Sequence, residues 1–146
     1  MTKHYSLENY SLDESIGYLL RRAGGQLAVC VDRRLAEFDM THAQYGIFCR
    51  LQTSPSTAAE LARSSMTDTG AMTRMLDRLE EKGFVQRSRS STDRRIVEVS
   101  LTDKGRQLAD RMREVAVDTL NHLLRDFTPA DVAQFKSFLR RMINNA

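Results

Sequence analysis

The stretch from Ser56 to Gly105 constrains the fold most, because it predicts helix, turn, helix, strand, loop and strand in that order. Thr57 and Glu60 have the spacing of a capping box, in which each side chain bonds the backbone N–H of the other residue. Asp68 is a suitable N-cap for the second helix, and Gly83 is a suitable left-handed residue after its end. Two short helices followed by a strand pair predict a winged helix-turn-helix.

The second of these helices has one apolar face and one polar face. A buried stripe is predicted by apolar residues at the i, i+3, i+4, i+7 spacing, namely Met72, Met75, Leu76 and Leu79. The opposite face carries hydroxyl and basic side chains, which suit base edges in the major groove of DNA. The recognition residues that we predict on this helix are Thr69, Thr73, Arg74 and Arg78.

Positive charge is concentrated in the hairpin that follows, whose strands are predicted over residues 84–89 and 96–101. The whole chain has 22 Lys+Arg and 19 Asp+Glu, a net charge of +3 that alone does not indicate a nucleic acid partner. Residues 86–95 hold that same excess, with small hydroxyl residues between the arginines, a composition that suits phosphate oxygens and a minor groove. The alternative is an ordinary solvated hairpin. The predicted DNA contacts are Arg87, Arg89, Arg94 and Arg95.

Asp93 lies among these arginines, and a phosphate would repel its carboxylate. We therefore predict that Asp93 orients an arginine through a salt bridge and does not touch DNA.

A resemblance to the multiple-antibiotic-resistance regulator (MarR) family is carried by three segments: Thr73 to Arg87, then Asp93-Arg94-Arg95, then Leu101-Thr102-Asp103-Lys104-Gly105. The resemblance extends over roughly residues 12 to 143. It implies a homodimeric bacterial transcription factor, usually a repressor, that is often released from its operator DNA by a small ligand or by oxidation.

Amphipathic helices are predicted on both sides of this lobe. The first begins at a capping box over Ser11–Glu14 and is interrupted by Gly24-Gly25, where we expect close approach by another helix; the alternative is a hinge or a ligand gap. Because such helices need a surface to pack on, a second copy of the chain is predicted. The predicted fold is mainly α with a small β-hairpin: a single domain over 1–146, a winged helix-turn-helix DNA-binding lobe at 41–102, and dimerisation helices at 11–38 and 103–144.

Signatures of enzymes are missing from the sequence, which has no Gly-rich phosphate loop, no Gly-x-Ser-x-Gly and no His-Glu-x-x-His. We therefore predict no enzyme, no catalytic residue and no cofactor. The three histidines have no His or Cys neighbour at metal-ligand spacing, so no metal site is predicted. No apolar run approaches the ~18 residues of a membrane span. Two cysteines within helical patterns favour a cytoplasmic location over a disulfide framework.

The resemblance also implies an effector cleft between the dimer helices and the DNA-binding lobe, with small aromatic acids as common effectors. Tyr45 has a flat apolar body with a polar tip, and His42 or an arginine can pair a carboxylate. The competing interpretation is that Tyr45 is a core residue and that His42 merely follows a helix cap. The predicted effector residues are Arg21, Arg22, His42, Tyr45 and Cys49.

Two further functions remain open at this point. One is a helical homodimer that acts as a protein-interaction or anti-activator module, with the hairpin contacting protein. The other is a redox-sensing regulator that uses Cys30 or Cys49, although both positions are interpreted first as small core residues.

Overall fold

The computed structural model describes residues 3–146, and these residues are mainly helical with one antiparallel strand pair. In chain order the elements are α1 (Ile16–Leu35), a 3₁₀ turn (Ala36–Phe38), α2 (His42–Thr53), α3 (Ala58–Ser64), α4 (Thr69–Glu81), β1 (Val85–Arg89), β2 (Val97–Leu101), α5 (Asp103–Leu123) and α6 (Pro129–Asn144). The predicted fold class, a helical protein with a small β-hairpin behind a helix-turn-helix, is confirmed. No helix within residues 3–146 is long and apolar enough to cross a membrane.

One apolar core joins the helix-turn-helix to α5. The fully buried side chains include Leu35, Ile47, Phe48, Leu61, Met72, Leu76, Leu79, Leu101 and Met112. Helix α4 contributes Met72, Leu76 and Leu79, with Met75 packed partly buried beside them. The predicted apolar stripe of α4 is therefore confirmed, and its burial leaves the polar face of α4 exposed to solvent.

Helix α3 begins as predicted. Thr57 accepts a hydrogen bond from the Glu60 N–H (3.2 Å), and the Glu60 carboxylate accepts one from the Thr57 N–H (2.8 Å). The hydrogen bonds that the Thr57 N–H and the Thr57 hydroxyl donate to the Glu60 carboxylate lower the pKa of that carboxyl, because they favour its charged form. The capping box thus satisfies two N–H groups that the first turn of a helix leaves without a partner.

The prediction for the start of α1 is wrong. The N-cap is Ser15 and not Ser11: its hydroxyl accepts from the Tyr18 N–H (3.2 Å) and donates to the Leu12 carbonyl (2.7 Å). Gly24 and Gly25 also fail to interrupt the helix, since α1 runs unbroken from Ile16 to Leu35. Apart from the adjacent residues and backbone of α1 itself, a Cβ added at either glycine would meet no atom of residues 3–146 within 4 Å, so no other helix in that range approaches them closely.

The β1–β2 hairpin, residues 85–101, is called the wing below. Its strands pair in antiparallel register from Val85 opposite Leu101 to Arg89 opposite Val97. Ser56 adds a further bridge: its N–H donates to the Val99 carbonyl (3.1 Å) and its carbonyl accepts from the Val99 N–H (2.9 Å). The loop between α2 and α3 is therefore bonded to the wing.

The wing is joined to α5 by a close backbone contact. The Phe84 carbonyl accepts a hydrogen bond from the Thr102 N–H (3.1 Å), and the Thr102 hydroxyl donates to the Gly83 carbonyl (2.7 Å). A Cβ added at Gly105 would lie 2.0 Å from the Phe84 carbonyl oxygen. This approach explains physically why the Leu-Thr-x-x-Gly segment has glycine at its last position.

We expect Gly105→Ala to lower the free energy of unfolding by about 3 kcal/mol, because the methyl group forces the backbone of Phe84 away from α5. Gly46→Ala is the matched control: Gly46 lies within α2, and a Cβ there has nothing within 4 Å. That control should be stabilising by up to about 1 kcal/mol, since alanine favours helix over glycine. Urea unfolding followed by circular dichroism measures both, and equal stabilities of the two variants would contradict the close contact at Gly105.

Candidate nucleic-acid interface

The exposed face of α4 begins at a well-formed N-terminus. The Asp68 carboxylate caps the helix by accepting a hydrogen bond from the Ala71 N–H (2.8 Å). The four predicted recognition residues are all exposed and share this face: Thr69, Thr73, Arg74 and Arg78. The Thr73 hydroxyl donates to the Thr69 carbonyl (2.8 Å), which leaves its oxygen available to accept a further bond.

Gly70 lies on the same face and leaves room for a neighbouring side chain. An added Cβ there would be 3.6 Å from Arg74 Nη1 and 3.2 Å from the Asp68 carboxylate. The Arg74 guanidinium therefore lies over the first turn of α4. In helix-turn-helix proteins the N-terminal residues of the recognition helix contact base edges.

The tip of the wing is ordered by hydrogen bonds to its own backbone. Asp93 accepts from the Arg95 N–H through its side chain (2.9 Å) and from the Ile96 N–H through its carbonyl (2.9 Å). Arg89 Nη1 donates to the Arg94 carbonyl (2.7 Å). Asp93 thus orients the wing through backbone N–H groups, and the predicted salt bridge to an arginine is absent from the ion pairs of residues 3–146.

Arg94 and Arg95 have exposed side chains at this tip. Neither takes part in an ion pair within the part of the chain that the structure describes, and the same holds for Arg74 and Arg78 on α4. Two groups of two arginines, one on the recognition helix and one on the wing, are therefore available to an anionic partner.

Arg87 differs from the other wing arginines. Its guanidinium bonds the carboxylates of Asp77 (2.7 Å) and Glu80, both on α4, and its side chain is only 27% exposed. Burial alone would lower the pKa of the Arg87 guanidinium, but the hydrogen bonds to Asp77 and Glu80 outweigh burial and raise it. This contact could not be predicted from the sequence, because nothing in the local pattern distinguishes Arg87 from Arg89.

The predicted effector residues do not form one cavity within this chain. On α1, the Arg21 and Arg22 guanidinium groups lie 5.4 and 5.9 Å from the Tyr18 ring centroid, and Arg22 donates to the Tyr18 hydroxyl (3.3 Å). On α2, His42 borders an open cavity of about 430 Å³ together with Arg50, Met72, Met75 and others, a set that does not include Tyr45, Arg21 or Arg22. The predicted residues thus separate into an α1 pair and an α2 group.

Tyr45 and Cys49 are neighbours on α2. Burial, and after it the neighbouring Cys49 thiol, raise the pKa of the Tyr45 hydroxyl. Cys49 is exposed and Cys30 is half-buried, which corrects the interpretation of Cys49 as a core residue. Within residues 3–146 no three His, Cys, Asp or Glu side chains are grouped as metal ligands.

Comparison with known proteins places this geometry in a family. Residues 40–97, which begin after the 3₁₀ turn and end at the first residue of β2, match the MarR family. The multiple antibiotic resistance protein MarR of Escherichia coli is 30% identical over 130 residues, which cover 88% of this chain and 90% of that protein. The chain belongs to the MarR family of winged helix-turn-helix proteins and is a DNA-binding transcriptional regulator.

Two solved structures of similar chains connect this fold with DNA and with a regulating small molecule. The transcriptional repressor CouR, bound to a 23-mer DNA duplex, superposes with a TM-score of 0.82 at 27% identity, covering 95% of this chain and 99% of CouR. BpsR of Bordetella bronchiseptica, whose DNA binding is regulated by 6-hydroxynicotinic acid, superposes with a TM-score of 0.80 at 25% identity, covering 91% of this chain and 96% of BpsR.

Proposed function

We propose that the protein is a repressor that binds a pseudo-palindromic operator as a homodimer and is released by a small aromatic acid. The observation that carries the proposal is the pairing of an exposed recognition helix, α4, with a wing tip whose Arg94 and Arg95 side chains are exposed. A helix of this size fits the major groove, and arginines on a projecting hairpin suit phosphates or the minor groove. The proposed DNA contacts are Thr69, Thr73, Arg74, Arg78, Arg94 and Arg95, with Arg89 and Asp93 ordering the wing tip.

The wing and the recognition helix should respond differently to substitution. Arg94→Ala with Arg95→Ala should weaken binding to every duplex and lower the dependence of log K on log salt by roughly one for each phosphate that the protein no longer neutralises. Arg74→Ala should instead cost ~1–3 kcal/mol and relax the preference at one base position.

Salt titration by fluorescence anisotropy, on duplexes enriched from a random library by the wild-type protein and on a random duplex, measures both effects. A uniform loss of affinity across all duplexes for Arg74→Ala would assign that side chain to phosphate and not to a base.

A homodimer is supported by apolar surface that one chain leaves uncovered. Helix α6 has no buried residue, and Phe135, Phe138, Met142 and Ile143 on it are 43–71% exposed. Together with the start of α1, α6 borders an open apolar cleft of about 860 Å³. Burying one such side chain contributes roughly 1.5–3 kcal/mol, and a second copy of the same helices offers a matching apolar face.

We expect Phe138→Glu to shift the protein from dimer to monomer, because a carboxylate on this face must be desolvated in the interface. Ser137→Glu, which adds the same charge at an exposed neighbouring position on α6, is the control and should stay dimeric. Sedimentation velocity at micromolar concentration measures the assembly. A monomeric wild-type protein, or a Phe138→Glu dimer as stable as wild type, would contradict the proposed interface.

The proposed effector binds at α2 because that helix places polar groups beside the recognition helix. His42 and Arg50 can bond a carboxylate, while Met72 and Met75 of α4 form an apolar wall of the same cavity. An occupant of that cavity therefore contacts α4 directly. A ligand that binds the DNA-incompetent arrangement about 100-fold more tightly shifts the equilibrium by ~2.7 kcal/mol, which is sufficient for release. In the proposed dimer, the effector site also includes four other predicted residues: Tyr45, Cys49, Arg21 and Arg22.

Titration of benzoate and 6-hydroxynicotinate into the protein–duplex complex tests this site. We expect His42→Ala to raise the concentration needed for half-release about tenfold, since it removes a polar group that borders the cavity. Tyr45 lies outside the cavity of one chain, and Tyr45→Ala should have a similar effect because the proposal brings its hydroxyl to the ligand in the dimer. Thr53→Ala, an exposed position on α2 outside the cavity, is the control and should release like wild type. Equal release from all four proteins would exclude His42 and Tyr45 from the effector site.

A further inference from the structure

Both the backbone and the side chain of Arg87 form hydrogen bonds with α4. Its backbone N–H donates to Glu80 Oε1 (3.0 Å), and its guanidinium donates to the other Glu80 oxygen and to Asp77 Oδ1 (2.7 Å). Glu80 therefore bonds both the backbone and the side chain of one residue in β1. A charged residue bonded in this way fixes the position of the strand on the helix more strongly than an ordinary surface pair, whose two long side chains remain free to move.

The two carboxylates lie on the part of α4 that faces the proposed DNA surface. Asp77 follows Thr73 by four residues and Glu80 follows it by seven, so all three share one side of the helix. Asp77 is 51% exposed, and Glu80 is 38% exposed. Without a cation beside them, these carboxylates would repel the phosphates that flank the groove.

We infer that Arg87 contacts no phosphate and is a positioning residue, which holds the wing against the recognition helix and neutralises Asp77 and Glu80 there. The inference rests on the proposed DNA-binding function and refines it. Arg87 acts on DNA through two other residues, whereas Arg94 and Arg95 act through direct contact. The reach of the wing tip is then set by where Glu80 and Asp77 hold the first strand of the wing.

A double-mutant cycle separates the two roles. The proteins are wild type, Arg87→Gln, the pair Asp77→Asn with Glu80→Gln, and the combination of all three substitutions. Each is titrated with a duplex enriched from a random library by the wild-type protein and with a random duplex, over a range of salt concentrations. We expect Arg87→Gln to weaken binding about tenfold in the wild-type background. In the background without the carboxylates it should change affinity less than about twofold and leave the salt slope unaltered.

Arg94→Gln is the matched control in both backgrounds. As a direct contact it should lower the salt slope by about 0.9 with or without the carboxylates. If Arg87→Gln lowered the salt slope in the same way in both backgrounds, Arg87 would be a phosphate contact and the inference would be overturned. The inference also fails if Arg87→Gln has no effect in either background. An Arg94→Gln variant that binds like wild type would instead contradict the proposed DNA surface.

Hydrogen exchange on the free dimer supplies a test that needs no DNA. Arg87→Gln should speed exchange of the residue 87 and Ser88 backbone amides and of other wing amides, because the strand loses its attachment to α4. Exchange in α6, which lies outside the lobe, should stay unchanged and shows that the variant remains folded. Unaltered exchange throughout the wing would overturn the positioning role even if no duplex were enriched.

Discussion

The rest of the structure depends on the contact between Phe84 and the first turn of α5. The Phe84 carbonyl accepts from the Thr102 N–H (3.1 Å), and the Thr102 hydroxyl that caps α5 donates to the Gly83 carbonyl (2.7 Å). The Phe84 ring packs edge-to-face on Phe48 of α2, with centroids 6.1 Å apart, and the Lys104 ammonium lies 4.6 Å from the same ring. Helices α2, α4 and α5 and the wing therefore meet at one residue. A displacement of α5 acts on the recognition helix through backbone bonds and packed rings, which deform little.

Local signals were sufficient to predict α3, α4 and the wing. These signals are a capping box at Thr57, the apolar spacing from Met72 to Leu79 and a glycine after α4. Each acts over a few residues, so the local sequence is sufficient to determine where these elements form. The predicted start of α1 was wrong because Ser11 and Ser15 both have a hydroxyl that can cap a helix. Ser15 is the cap because a turn precedes it, in which the Leu12 carbonyl accepts a hydrogen bond from the Ser15 N–H (3.1 Å). The two glycines within α1 lower its helix propensity, yet the helix continues through them.

Contacts between elements could not be predicted from the sequence. Arg87, Arg89 and Arg94 look alike in a basic hairpin, yet only the antiparallel register and the position of α4 place Arg87 on Asp77 and Glu80. Asp93 was expected to pair with an arginine side chain, but a tight turn brings the Arg95 N–H closer (2.9 Å). The proposed effector residues on α2 are related only by their spacing, and in the proposal the residues on α1 join them through assembly with a second chain.

The charge distribution in the DNA-binding lobe indicates that different parts of it supply affinity for DNA and specificity for a base sequence. Helix α4 carries Arg74 and Arg78 against three carboxylates, Asp77, Glu80 and Glu81, so the recognition helix alone has no positive excess. Arg87 offsets part of this negative charge from the wing. In the proposed complex, long-range attraction to DNA therefore comes from basic residues outside α4, those of the wing tip among them. A recognition helix with little net attraction for phosphate binds every sequence weakly, and in the proposed complex base contacts by Thr73 and Arg74 determine which duplex is bound.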